Sequence, residues 1–265
     1  MGHTRLGSIP KSKTWTSVVD YVLGGIPTAA SIAQEVPAIS AKTLAAAEGA
    51  LPVAIEDAGL RFTFYLLTKV VLASRDKDWY KKLDELGIQL NHDSSVVDLT
   101  CEIQNRVDDF LGVSGERTDV GEMAQKAAGE SLAYLVQTQT SDFFESDGDH
   151  LRTVLKNYST SAGFGELGQK FFGCFMAKFL NFYLCRITAT HLGHQRIGNI
   201  AEVQQFNATL QSHCEQSARI VRNFSGQWVS KTNYFEGITP QNTRRFIAVA
   251  INKLRAELNQ QKVEG

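Results

Sequence analysis

The sequence predicts an all-α fold, a multi-helix bundle of about nine helices with no significant sheet. Three observations carry that expectation. Apolar residues recur at spacings of three and four along almost every patterned segment. No strand-like alternation runs beyond four residues, and no internal repeat or low-complexity tract interrupts the pattern. A hydrophobic content of 43% with 21% charged residues over 265 positions is ordinary for a globular chain, which excludes disorder and fibrous repeats.

The elements follow in order. Behind a polar arm ending near Pro10, Trp15–Leu23 reads as a helix stopped by Gly24-Gly25. The Ala-rich stretch Thr28–Ala58 contains Pro37 and Pro52, and a proline inside a helix removes a hydrogen bond and collides with the preceding turn. Two short helices broken at those prolines are expected. Leu60–Ala73 is a dense apolar helix with Phe62, Phe64, Leu67 and Val71, and Asp76–Leu86 is a short one closed by Gly87. Val96–Leu111 shows one broad buried stripe, and Asp119 with Glu122 resembles a capping pair in front of a helix reaching Val136. The acidic segment Ser141–Asp149 reads as the central loop. Phe164–Ile187 is the longest apolar pattern, but Lys178, Asn181 and Arg186 interrupt the roughly 20 apolar residues that a membrane span needs. It reads as a core helix. Ile200–Phe224 forms a further helix, Ser225–Ile238 a loop, and Thr239-Pro240 supplies the cap and first-turn proline for a last helix, Gln241–Leu258.

The net charge of −1 hides a polarised chain. Residues 1–150 carry 13 basic and 22 acidic side chains, whereas residues 151–265 carry 14 basic and 6 acidic ones. An acidic N-terminal helical half and a basic C-terminal one are expected, as one domain or two packed subdomains. Neither a secretory signal nor a myristoylation motif reads at the N-terminus, where Leu6 stands at the required Ser or Thr position. Cys101, Cys174, Cys185 and Cys214 are scattered through apolar helical patterns without Cys-x-x-Cys spacing and suit reduced, buried thiols, so a cytoplasmic location is expected.

Several motifs point to chemistry and lack its context. Gly163-Phe164-Gly165-Glu166-Leu167-Gly168 matches the dinucleotide-binding string, yet that mechanism needs a preceding strand and an acidic residue about 20 positions on. No Asp or Glu occurs between Glu166 and Glu202, so close helix packing is the better reading of these glycines. Cys185, His191 and His194 are soft metal ligands without a nearby carboxylate, and they fit solvated groups at a helix C-terminus. His213-Cys214-Glu215 carries the His-x-Glu spacing of zinc deaminases without their Pro-Cys-x-x-Cys partner. No Gly-x-Ser-x-Gly elbow, Walker loop or His-Glu-x-x-His helix is present, and no metal or cofactor is expected.

Arg186-Ile187-Thr188-Ala189-Thr190-His191 resembles the Arg-x4-6-His signature of HEPN ribonucleases, small all-α domains, over six residues. The resemblance implies metal-independent RNA cleavage. His191 would exchange protons with the ribose hydroxyl or leaving oxygen, and Arg186 would steady the phosphate, in a site often composed across a dimer. Ile187 stands where that family usually has a polar residue.

The basic half supplies the other clue. Arg219 and Arg222 precede Trp228, Lys231 and Tyr234, and Arg244-Arg245 open the last helix. Interleaved cations and aromatic rings can neutralise phosphates and stack bases, or meet an acidic protein face. Solvated arginines, with Trp228 and Tyr234 anchoring a loop to the core, are the plainer alternative. The leading expectation is a cytoplasmic, non-enzymatic helical subunit of a multi-protein or protein–nucleic acid assembly, binding through these seven residues. An oligomer is compatible with it. A HEPN-like ribonuclease using Arg186 and His191 is the runner-up. A membrane-active effector, releasing the Phe171–Leu184 helix or the Ile26–Val53 segment from the core, is the third.

Overall fold

The computed structural model describes residues 3–4, 6, 12–23, 29–114, 117–139, 147–191 and 200–260, and it is helical as the periodicity predicts. Among the described residues there are twelve helices rather than about nine. In chain order they begin with α1 (Lys13–Leu23), α2 (Ala29–Ala46), α3 (Ala50–Glu56), α4 (Ala58–Ala73), α5 (Trp79–Asp84) and α6 (Val96–Ser114). After these come α7 (Asp119–Gln137), α8 (Gly148–Tyr158), α9 (Ser161–His191), α10 (Ile200–Ser217), α11 (Arg219–Phe235) and α12 (Pro240–Gln260). One parallel pairing joins two-residue strands, β1 (His3–Thr4) and β2 (Arg117–Thr118).

Several segments depart from the sequence expectation. α2 continues through Pro37, where buried Val36 and Ile39 hold the helix against its neighbours, and the chain turns instead at Ala47–Gly49. Pro52 sits in the first turn of α3, where a missing N–H leaves no helical bond unmade. α8 begins inside the stretch expected as a loop: Asp147 accepts the His150 N–H at 2.7 Å, and Leu151, Val154, Leu155 and Tyr158 form its buried face. The α7 cap is Thr118, whose hydroxyl accepts the Gly121 N–H at 2.9 Å, rather than Asp119. The helix expected over Ile200–Phe224 is divided at Ala218, where ψ is −1°. Most of the expected loop Ser225–Ile238 is helical instead. Gly226 belongs there because a Cβ would lie 1.9 Å from the Ser161 carbonyl oxygen, so the glycine permits close helix contact rather than a turn.

α9 is the axis of the packing, with α11, α7 and α10 as its main neighbours. Its glycines face those neighbours closely. A Cβ on Gly165 would lie 2.9 Å from the Arg222 carbonyl oxygen, and one on Gly168 would lie 2.6 Å from Ser225 Oγ. These residues fall inside a helix with no strand before them, and the dinucleotide string is a packing seam. α4 lies across α7, α6 and α12. Its Phe64 meets Phe171 at 4.9 Å, Phe172 at 5.0 Å and Phe246 at 5.5 Å between ring centres, joining three helices through one side chain. Burying each such ring contributes about 1.5–3 kcal/mol, more than any surface pair in the molecule.

The acidic and basic halves share one continuous apolar core and meet in ion pairs. Glu56 of α3 takes both forks of Arg244 of α12, the closest contact being 2.7 Å, and Glu48 pairs with Arg255. Glu130 of α7 reaches Lys178 of α9 at 2.5 Å. Part of the charge asymmetry of the chain is thus answered within it. No single helix among the described residues is long and apolar enough to cross a membrane. The bent pair Glu35–Ala46 and Ala50–Glu56 meets the length and composition requirement together, with an 80° angle between its parts.

Candidate partner-binding surface

α11 buries Val221, Ser225, Gly226 and Val229 against α9, and this fixes what its other faces present. Trp228 faces inward, stacked on Phe246 at 4.1 Å and 23° and within 6.0 Å of Phe164. It is an anchor. Tyr234 is not: it is 83% exposed, its neighbour Phe235 is 77% exposed, and the two rings pack edge to face at 4.9 Å. The expectation that Tyr234 ties this segment to the core is therefore corrected. Gly237, with φ at 72°, then turns the chain toward α12, where Thr239 and Asn242 cap each other reciprocally.

The basic residues divide into two sets. Arg222 is paired with Glu166 at 2.6 Å, and Arg244 is held by Glu56. That pairing holds the Glu56 carboxyl below its ordinary range, chiefly through the Arg244 hydrogen bond. Arg219, Lys231 and Arg245 are exposed and have no hydrogen-bond or ion-pair partner among the described residues. Arg219 occupies the first position of α11, two residues past the end of α10 at Ser217.

A groove runs beside this corner. The half-buried residues of α4, from Ala58 through Arg61, Phe62, Tyr65, Lys69 and Leu72 to Ala73, recur at three and four and form one stripe. Two cavities lie along it. The first, about 500 Å³, sets Phe62 and Phe110 of α6 against Thr239, Pro240 and Arg244. The second, about 560 Å³, sets Tyr65, Lys69 and Leu72 against Lys82 and Glu85 of the α5 region and Asn233 of α11. The sequence reading missed this site. Its signal was present as Arg61, Tyr65 and Lys69 at regular spacing in an otherwise apolar helix.

Of the four cysteines expected to be buried, Cys174 and Cys214 are, whereas Cys101 and Cys185 are exposed. Cys174 is pushed up to about 12 by burial, and Cys214 is raised still further for the same reason, so both remain thiols. Glu215 of the His-x-Glu string takes Lys170 at 2.7 Å and Gln211 at 3.0 Å, joining α9 to α10. His213 is buried, its Nε2 has no hydrogen-bond partner among the described residues, and burial lowers its pKa so that it stays neutral. Half-buried Tyr80 and exposed His92 and Asp149 touch one another at 3.2–3.4 Å, with Tyr80 raised to about 12, first by burial and then by Asp149. Among the described residues no three His, Cys, Asp or Glu groups converge as a metal site requires. Arg186 and His191 fall on the last turns of α9, and their side chains, with residues 192–199, lie outside the described residues.

No protein-family model matches the chain, no curated protein matches it, and no solved structure matches it.

Proposed function

We propose that the protein is a non-catalytic helical binding subunit of a multi-protein or protein–nucleic acid assembly, and that its α11–α12 corner engages an anionic partner. One observation carries this reading. Lys231 and Arg245 stand exposed without partners among the described residues near the α11–α12 connection, where α11 also presents Tyr234 and Phe235 to solvent, and Arg219 is a further exposed cation without a partner among the described residues at the opposite end of α11. α11 and α12 with their connection, residues 219–260, hold seven basic and two acidic side chains, so the corner keeps a positive field beyond its internal ion pairs. Exposed aromatic rings beside such cations are what interface hot spots are made from.

The test is binding of labelled mixed-sequence RNA, mixed-sequence DNA and polyglutamate across a salt series, by the native protein and by an R219A/K231A/R245A variant. Binding that weakens with salt, with a slope reduced by about three contacts in the variant, is the expected result. An unchanged slope, or no polyanion bound at low salt, removes the corner as the interface.

A further inference from the structure

The α4 groove has a composition at odds with its surroundings. It lies mostly in the half of the chain with 13 basic and 22 acidic residues, yet five cations line it: Arg61, Lys69, Arg75, Lys82 and Arg244. Two of the three carboxylates beside it are ion-paired. Glu56 is shared by Arg61 and Arg244, and Glu85 takes Lys82 at 2.8 Å. Asp76 Oδ1 accepts the Asp78 N–H. Lys69 stands in the middle of the stripe, half-buried, with no hydrogen-bond or ion-pair partner among the described residues. Its cavity, shared with Tyr65, Leu72, Asp76 and the ion-paired Lys82 and Glu85, holds no hydrogen-bond or ion-pair partner for its ammonium among the described residues, a charge left for something outside the chain to answer.

The apolar end narrows the chemistry. Phe62 stacks on Phe110 at 4.0 Å and 12° and has the Arg106 guanidinium over its ring at 5.4 Å. Phe62 is thus covered from within by Phe110 and Arg106, and Phe110 is the more exposed ring of this apolar floor. Pro240 and the methylenes of Arg244 wall the same cavity. Phe62 and Lys69 are seven residues apart on α4, which places them about 10 Å apart along its axis. This matches two turns of a docked helix or three residues of an extended chain.

Extending the binding-subunit reading, on which it rests, we propose that the α4 groove receives a short acidic segment of a partner protein. A large apolar side chain sits against Phe62 and Phe110, and a carboxylate meets Lys69. The site is separate from the exposed cations Arg219, Lys231 and Arg245, and shares with that corner only the wall formed by Asn233 and Thr239–Arg244.

Selection of random 12-residue peptides on the purified full chain tests this, followed by affinity measurement of the labelled winners and of a labelled 12-nucleotide RNA. K69E and F110A are the groove variants, each checked for native helicity and melting, and R219A/K231A is the comparison. Expected is a consensus pairing Asp or Glu with a large apolar residue, bound at least tenfold more weakly by K69E and by F110A and unchanged in R219A/K231A. Peptides insensitive to both groove variants but weakened by R219A/K231A overturn the groove proposal and leave the corner standing. RNA binding lost in K69E, with no peptide enriched, overturns the peptide as occupant. If neither peptide nor RNA binds, the groove proposal is overturned, while the corner reading is decided by its own salt series.

Discussion

α9 and α4 are both apolar helices in the middle of the molecule, and their neighbours treat them differently. α9 is enclosed through most of its length because its glycines let other backbones come close: Gly165 meets the Arg222 carbonyl, and Gly173 meets Glu215 Cα. α4 has one such approach, at Gly59 against Gly121, close to its N-terminus. Beyond it the outer stripe carries Arg61, Phe62, Tyr65 and Lys69, whose length holds the α5–α6 and α11–α12 elements apart. Small residues close a helix face, and long ones keep a groove open beside it.

The comparison can be broken most severely where the two helices touch. Phe64→Ala removes the ring that meets Phe171, Phe172 and Phe246, and a loss of about 4 kcal/mol in denaturant unfolding is expected. A loss below about 1 kcal/mol would show that α4 and α9 do not share a core there. Gly226→Ala is next. Helix propensity alone would stabilise by about 1 kcal/mol, whereas the clash with the Ser161 carbonyl should destabilise by about 3 kcal/mol. The sign of the measured change therefore decides whether the seam is as close as described.

A smaller effect sharpens the enclosed side. Burial lowers the His213 pKa below its ordinary value of 6.5, so between those two values the unfolded chain binds a proton that the folded one does not. Its contribution is fully present above pH 6.5 and is progressively lost as pH falls toward the folded value. Melting temperatures measured from pH 7.5 to 5 should decline less in His213→Gln than in the native protein, and parallel curves would exclude this group as the cause. On the open side the smallest change is expected. Lys69→Ala should alter stability by no more than about 0.5 kcal/mol, because the ammonium has no internal partner to lose. A drop of 2 kcal/mol would show that the groove is part of the packed core.

Much of this architecture is legible in the residues because helix periodicity is local. Trp15, Val96 and Pro240 fall on helices where their patterns place them. What escapes is what depends on a neighbour distant in sequence. Gly226 and Gly237 look alike in the sequence, but one serves close contact with Ser161 and the other a positive φ. Trp228 reads either as a binding ring or as a core anchor, and only Phe246 beneath it decides for the anchor. The α8 pattern of Leu151, Val154, Leu155 and Tyr158 was readable, and the acidic residues before it masked its beginning. The pairing of Arg244 with Glu56 crosses 188 positions, and no local pattern announces it. The groove falls between these cases: its floor is visible as a stripe, and its walls come from three separate stretches of chain.

The ion pairs between the halves also bear on how the chain is made. Synthesis delivers the acidic half first, and at typical rates the rest follows over on the order of 10 s. During that interval the inner face of Phe64 has no α9 to rest on. The surplus of 22 acidic over 13 basic side chains makes emerging copies repel one another while that face is bare. Lys178, Arg244 and Arg255 arrive afterwards with the opposite sign, and Glu130, Glu56 and Glu48 are already waiting for them. The polarity of the sequence thus favours separation of copies while the apolar face is bare, and the ion pairs form over a core that burial of the rings has closed.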